Sequence, residues 1–307
     1  MTAAGTEPAY LALHRSGALA DRARRALGRL ASCDLCARYC RVNRLDGTQG
    51  AVCRTGRWAR VTSYGPHHGE ERPISGWRGS GTVFFAWCSL RCVFCQNWEL
   101  SQRGVGSEVN AEGLAAMMLE LQEIGCHNVN LVTPSHVVAQ VLEALAIAAG
   151  AGLRLPLVYN TGGYDSPEAL ALLDGVVDIY MPDMKYGDSD LARRYSHVRE
   201  YVQVNRRAVR EMHRQVGDLV LDEHGVAVRG LLVRHLVLPG DVAGTDQVLA
   251  WIASEVSPTT YVNLMAQYRP CYRASEHPPL DRRPALAECR HARELAGRLG
   301  LGRLDPG

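Results

Sequence analysis

Short apolar runs alternate with longer amphipathic stretches from about residue 81 onward, and this alternation predicts buried strands separated by helices. Gly81 to Ala86 is the first strand, followed by a helix over Ala111 to Ile124 with Leu114, Met117, Met118 and Leu121 on one side. Asn128 to Thr133 is the second strand, and Pro134 to Ala149 a helix with proline in its first turn. Leu155 to Asn160 and Val176 to Met181 are the third and fourth strands, separated by a short helix opened by Ser166-Pro167-Glu168. One long or two shorter helices occupy 188 to 216, and Leu219 to Val228 has the pattern of a hairpin. Leu231 to Leu238 and Thr260 to Met265 are the fifth and sixth strands, with a helix over Thr245 to Val256 between them and a terminal helix over Arg283 to Leu299. Six apolar strands with intervening helices predict an α/β fold, a parallel sheet covered on its outer face. Eight repeats would close a barrel; six make an open partial (β/α)6 TIM-like barrel.

Composition bounds this picture without changing it. At 307 residues the chain has room for one such barrel with appendages. The expected division is an N-terminal helix and cysteine segment over 1–75, a core barrel over 76–270 and a tail with a helix over 271–307. A content of 47% hydrophobic and 21% charged residues is ordinary for a globular protein. A formal net charge of +2 makes no electrostatic case for nucleic acid or an anionic membrane. Arg22, Arg24, Arg25 and Arg29 in the predicted helix over residues 10 to 30 fit a solvated helix face. No apolar run reaches the roughly 20 residues of a membrane span. Met1 to Tyr10 lacks a secretory pattern, so a cytoplasmic location is expected. Ten cysteines in such a chain point to metal ligation in a reducing compartment rather than to a disulfide scaffold.

Seven of those cysteines lie in two groups. Cys88, Cys92 and Cys95, at C-x3-C-x2-C spacing, directly follow the first strand, where α/β barrels build their active sites. Three thiolates can hold three irons of a [4Fe–4S] cube and leave the fourth iron open; a structural zinc knuckle or redox thiols are the alternatives. Cys33, Cys36, Cys40 and Cys53, at C-x2-C-x3-C-x12-C, have the look of a closed tetrathiolate site, an auxiliary zinc or iron–sulfur centre. Between the groups, the turn-rich stretch Tyr64 to Gly76 offers His67, His68, Glu70 and Glu71 for substrate contact or proton transfer, or simply as a surface loop.

The ends of the predicted strands carry further polar groups. Asn160 and Thr161, followed by Gly162-Gly163, offer donors and acceptors for ribose hydroxyls. Asp183 and Lys185, two apart on an extended backbone, project to one side, for a cofactor's ammonium and carboxylate or as a plain ion pair. Arg234-His235 could reach cofactor or substrate, with a satisfied core histidine as the alternative for His235. Cys271 is a further ligand or relay, or an inert thiol.

The core motif, with the aromatic Phe94 before its last cysteine, resembles the radical S-adenosylmethionine (SAM) signature C-x3-C-x-Φ-C. Asn160-Thr161-Gly162-Gly163 and Asp178 to Lys185 are similar to segments of glycyl-radical-enzyme activases such as pyruvate formate-lyase activating enzyme. With the front cysteines, Gly65-Pro66-His67-His68-Gly69-Glu70-Glu71 and Gln267-Tyr268-Arg269-Pro270, the chain resembles the PflX-type activase homologues over about residues 30 to 275. That resemblance implies a barrel of the radical SAM type and a [4Fe–4S] cluster on Cys88, Cys92 and Cys95, with SAM chelating the open iron. It places Phe94, Asn160, Thr161, Asp183, Lys185 and His235 at the cofactor. It implies reductive cleavage of SAM to a 5′-deoxyadenosyl radical, a flavodoxin- or ferredoxin-type electron donor, and hydrogen abstraction from a substrate that is a protein if the chain is an activase. Two departures stand out. Thr133-Pro134-Ser135-His136 replaces the Gly-Gly-Glu that many members use for the SAM amino group, leaving Ser135 or His136 to substitute. The front cysteines also lack the ferredoxin-like run of two-cluster activases. The rival is a zinc or iron–sulfur structural or electron-transfer protein without SAM chemistry.

Overall fold

The computed structural model describes residues 7–306; Met1 to Thr6, part of the stretch in which no export signal is seen, lie outside the described residues. Helices α1 (Tyr10–Arg15) and α2 (Ala18–Gly28) lead into the front cysteine segment. The predicted single helix is broken at Gly17, which sits at φ 79°. Then follow β1 (Ala59–His67), α3 (Arg72–Ser75), β2 (Ser80–Phe85), α4 (Trp98–Arg103), β3 (Ser107–Val109), α5 (Ala111–Ile124), β4 (Val129–Val132) and α6 (Val138–Gly150). The second half is β5 (Leu157–Thr161), α7 (Pro167–Leu173), β6 (Ile179–Pro182), α8 (Ser189–Ser196), α9 (Tyr201–Val216), β7 (Val220–Leu221), β8 (Ala227–Leu236), α10 (Thr245–Glu255), β9 (Tyr261–Met265) and α11 (Leu286–Arg298).

The six predicted strands are β2, β4, β5, β6, β8 and β9, and each pairs in parallel with the next in that order. At one edge β1 pairs antiparallel with β2, and β3 with β1. The strand β1 is a correction to the reading of residues 64 to 76 as one loop: Tyr64 to His67 are strand, and Gly65, Pro66 and the histidine had masked the pattern. The helix predicted from Pro134 is a short 3-10 turn followed by α6.

Strand alternation sorts the side chains. Val83, Leu131, Leu157, Tyr159, Tyr180, Leu231 and Val233 point outward into the main core beneath α2, α5, α6 and α9. Val158, Ile179, Met181, Leu232 and Tyr261 point inward with Ile74, as an apolar floor. The register puts Thr82 beside Asn130 and Asn160 beside Met181, and joins Asp183 to Arg234 and Arg234 to Asn263, so the inner face turns polar toward the strand ends. Asp178 lies at the opposite end, where its carboxylate accepts from Ala9 N and Leu157 N, both at 2.8 Å, and fastens α1 to the sheet.

Candidate active site

Beyond β2 the chain turns through Trp87, a non-glycine residue at φ 67°, whose amide donates to Leu100 O at 2.9 Å. Its ring packs so closely on Gly104 that a Cβ there would meet the indole at 2.1 Å. The loop that follows is clamped by distant segments. Arg91 N and Val93 N donate to the Ser196 and Tyr195 carbonyls at the end of α8 (3.0 and 2.8 Å), and Arg273 N donates to Val93 O at 2.9 Å. Phe94 is buried in an aromatic cluster, with ring centroids 6.4 Å from Tyr186 and 6.0 Å from Tyr268.

Each of the three thiols has its own polar neighbour. Leu90 N donates to Cys88 Sγ at 3.3 Å, Ser196 Oγ donates to Cys92 Sγ at 2.9 Å, and Cys95 Sγ lies 3.1 Å from Ser101 Oγ. Burial and the nearness of Cys92 push Cys88 up to about 12; burial pushes Cys92 up to about 11, and Cys95 also rises. The Lys185 ammonium opposes the rise at all three, and its Cε lies with Leu90 of the cysteine loop beside Gly162. Cys271 is near enough to Cys95 to add to its rise.

Across the lumen, Asp183 joins two cations: Arg234 Nε donates to Oδ1 at 2.9 Å, and Lys185 Nζ donates to Oδ2. Burial alone would raise Asp183, but Arg234 and Lys185 outweigh it and hold its carboxyl below the usual range. Below this pair, burial pushes Glu70 up to about 7, with Arg234 at 3.7 Å offsetting only part of the cost. Asn130 faces the same space, fully buried, and is near enough to the Glu70 carboxylate to offset part of that rise. Glu71 accepts from Asn263 Nδ2 at 2.8 Å and leaves its second oxygen unpaired.

Neighbouring residues on a strand face opposite ways, and this separates residues that the sequence placed together. Asn160 points into the lumen. Thr161 points outward, 2.9 Å from Ser135 Oγ, donating to Asp165 at 2.7 Å and accepting from Gly163 N at 3.1 Å. Arg234 faces the lumen, but His235 does not. Its Nδ1 lies 2.7 Å from Met184 O and its Nε2 3.0 Å from Thr245 Oγ1, so both nitrogens are engaged in the core. Strand parity thus turns the Thr161 and His235 side chains away from the lumen, where both were expected to meet the cofactor. The two candidates for the amino-group contact are also buried. Ser135 is bonded to Thr161, and His136 Nε2 sits 3.0 Å from Ala86 O, its ring held neutral by burial that lowers it to about 3. Gly162 and Gly163 are glycines because their neighbours press in. A Cβ on Gly162 would meet Leu90 of the cysteine loop at 2.5 Å, and one on Gly163 would meet Asn205 Nδ2 at 2.1 Å.

Cys33, Cys36, Cys40 and Cys53 are also brought together, around one small cavity. Among the described residues no three His, Cys, Asp or Glu side chains stand at the mutual spacing of a formed metal centre.

The radical SAM superfamily model matches residues 82–226, which carry the cysteine loop and the ends of β5 and β6. An uncharacterised protein of Methanocaldococcus jannaschii, MJ0674, is 32% identical over 279 residues, covering 88% of this chain and 75% of that protein. The chain belongs to the radical SAM superfamily. Among solved structures it is similar to Streptococcus suis SuiB bound to the precursor peptide SuiA (13% identity, TM-score 0.45, 69% of this chain and 43% of that one). It is likewise similar to a radical SAM methyltransferase from Sphaerobacter thermophilus (16% identity, TM-score 0.45, 74% of this chain and 67% of that one). These scores are too low to bear on activity, and the chain spans less than half of the first of these proteins. Radical SAM membership implies a [4Fe–4S] cluster and SAM, and the residues present fit both. Three grouped thiols, each beside an N–H or O–H group, are suited to an iron–sulfur cluster, and a cation–anion pair stands next to them for an amino acid's charges. Among the described residues no helix is long and apolar enough to cross a membrane.

Proposed function

We propose that Cys88, Cys92 and Cys95 ligate the [4Fe–4S] cluster, that the Asp183–Lys185–Arg234 group orients SAM beside it, and that the enzyme abstracts hydrogen from a substrate seated over the lumen. The observation that carries this reading is Lys185: bonded to the carboxylate at the end of β6, it packs with Leu90 of the cysteine loop against Gly162. Bound together, the cluster and SAM would supply one-electron cleavage of the sulfonium and a carbon radical; the chain's part is to hold and shield them.

Several residues support that part. Lys185 and Arg234 are suited to a carboxylate, and Asp183 to an ammonium. Asn160 is the strand-end amide that faces the lumen, and its side chain makes no hydrogen bond within the described chain, so it is free for a hydroxyl. Ser196, Ser101 and Leu90 N would stabilise negative charge on the sulfurs. Phe94, held by Tyr186 and Tyr268, fixes the loop between Cys92 and Cys95. Deeper in the lumen, Glu70 and Asn130 form a polar patch suited to a polar substrate.

The activase-type role rests on the Asn160–Gly163 and Asp178–Lys185 segments. Gly162, Gly163 and Asp178 have packing reasons of their own, so these segments support a shared core more than a shared substrate. An acidic, flavodoxin- or ferredoxin-type donor suits the arginines at the rim of the loop: Arg54 lies over Trp87 (5.0 Å) and Arg103 over Trp98 (4.4 Å). All ten cysteines are unpaired, in keeping with a reducing compartment such as the cytoplasm.

The test is anaerobic reconstitution followed by dithionite and SAM. 5′-Deoxyadenosine and methionine should form with the native chain and not with the Cys88→Ala/Cys92→Ala/Cys95→Ala variant. An intact cluster that yields neither product removes the proposal. Deuterium transfer into 5′-deoxyadenosine from labelled peptides or small molecules then identifies the hydrogen donor.

A further inference from the structure

We propose that the chain carries a second, structural metal centre: one zinc ion held by Cys33, Cys36, Cys40 and Cys53, with the buried Arg44 as its counter-cation. The site lies outside the segment that matches the radical SAM model and is built separately from the lumen.

Arg44 is the informative residue. It is 1% exposed, and its hydrogen bonds go to Thr55 O (2.6 Å), Gly56 O (3.4 Å) and Cys33 Sγ (3.4 Å), none of them to a carboxylate. A guanidinium does not give up its proton, and a buried charge without a counter-charge is costly. The groups facing it are Cys53, Cys33 and Cys36. Zinc binding releases four thiol protons and leaves a tetrathiolate of net charge −2, against which this cation is already in place.

The four cysteines and Arg44 line one small cavity of about 10 Å³, and four thiolates closed around a single ion is the coordination that structural zinc takes. The backbone is shaped for ligation as well. Tyr39 and Arg41, on either side of Cys40, and Arg54, after Cys53, all adopt positive φ (47°, 55° and 48°), a conformation that costs a non-glycine residue about 1–2 kcal/mol.

The lobe also braces the cluster loop. Arg38 Nε donates to Ser89 O at 2.6 Å, and Arg91 of the loop donates to Val52 O. Zinc therefore fixes the surface on which the segment carrying Cys88 and Cys92 rests.

The test is metal analysis and zinc X-ray absorption on the full-length protein purified anaerobically. One zinc per chain with four sulfur neighbours at about 2.3 Å is expected. The Cys88→Ala/Cys92→Ala/Cys95→Ala variant should keep its zinc and lose its iron, which separates this proposal from the fate of the SAM reading. Cys36→Ser should lose zinc. Cys53→His, which keeps a ligand, should retain it with three sulfurs and one nitrogen, guarding against simple misfolding. Arg44→Gln should lose zinc to a chelator about tenfold faster. About four irons remaining in the triple variant would show a second iron–sulfur cluster and overturn the proposal. So would a native chain without zinc in which all four thiols alkylate while it stays folded.

Discussion

Replacing Ser196 with alanine tests whether Cys92 is a cluster ligand without touching any thiol. Ser196 is fully buried at the end of α8; its hydroxyl donates to Cys92 Sγ at 2.9 Å and shares a 2.7 Å contact with Tyr186 Oη. A hydrogen bond to a charged acceptor contributes about 1.5–3 kcal/mol. A ligating sulfur is a thiolate in both oxidation states, so only the increment brought by the added electron affects the potential. Taking that increment as about 1 kcal/mol, and 59 mV per factor of ten for a one-electron couple, Ser196→Ala should lower the midpoint by about 40 mV. The sign follows from charge: the lost donor had favoured the more negative, reduced cluster. A potentiometric titration followed by electron paramagnetic resonance, without SAM, reads the shift. Ser189→Ala serves as control, because that hydroxyl donates to Gln203 instead. Tyr186 also loses a partner, so thermal stability should fall by a few degrees. A variant with full iron content and a midpoint within 10 mV of native would refute the placement of Cys92 on the cluster.

Cys271 lies two residues before Arg273, whose amide donates to Val93 O of the cysteine loop; Cys271→Ser should keep four irons and SAM cleavage, and loss of an iron or of SAM cleavage would show that it is a ligand. Glu70 carries a stability signature of unusual sign. Its folded value of about 7 exceeds the ordinary 4.5, so the native state holds more protons between those limits, and its contribution, complete below pH 4.5, is lost as pH rises to 7. That loss is about 3 kcal/mol, and Glu70→Gln should flatten it in denaturant titrations; identical slopes for the two proteins would refute the buried-acid reading. Gly163→Ala places a side chain at φ 72° with its Cβ 2.1 Å from Asn205 Nδ2 and 2.4 Å from Asp183 O. It should cost roughly 3 kcal/mol in unfolding, and a loss below 1 kcal/mol would mean that the loop yields freely.

The order of strands and helices was legible along the chain because burial on both faces of a parallel strand leaves a continuous apolar run, and six such runs were found where six parallel strands lie. The cysteine loop was legible too, since its ligands are close in sequence and its place after a strand is a local property. β1 was not: its alternation is interrupted by Gly65 and Pro66, and only pairing with β2 makes it a strand.

Within the site, type and spacing identified Cys88, Cys92, Cys95 and Asp183–Lys185, but could not say which neighbours face the lumen. Once the strands are aligned, parity decides that Asn160 and Arg234 do and that Thr161 and His235 do not. Ser196 lies 104 residues from Cys92 and carries no signal in the sequence, because a hydrogen bond closed by the fold leaves no spacing to detect. Arg44 was equally silent. An arginine among many becomes informative only when packing removes its water and leaves the sulfurs of Cys33, Cys36 and Cys53 facing it. What the sequence determined by itself are the properties that local pattern encodes: element type, order and the clustered thiols. What the tertiary structure decided is which side chains lose solvent together, and it is that shared desolvation that turns separate residues into a site.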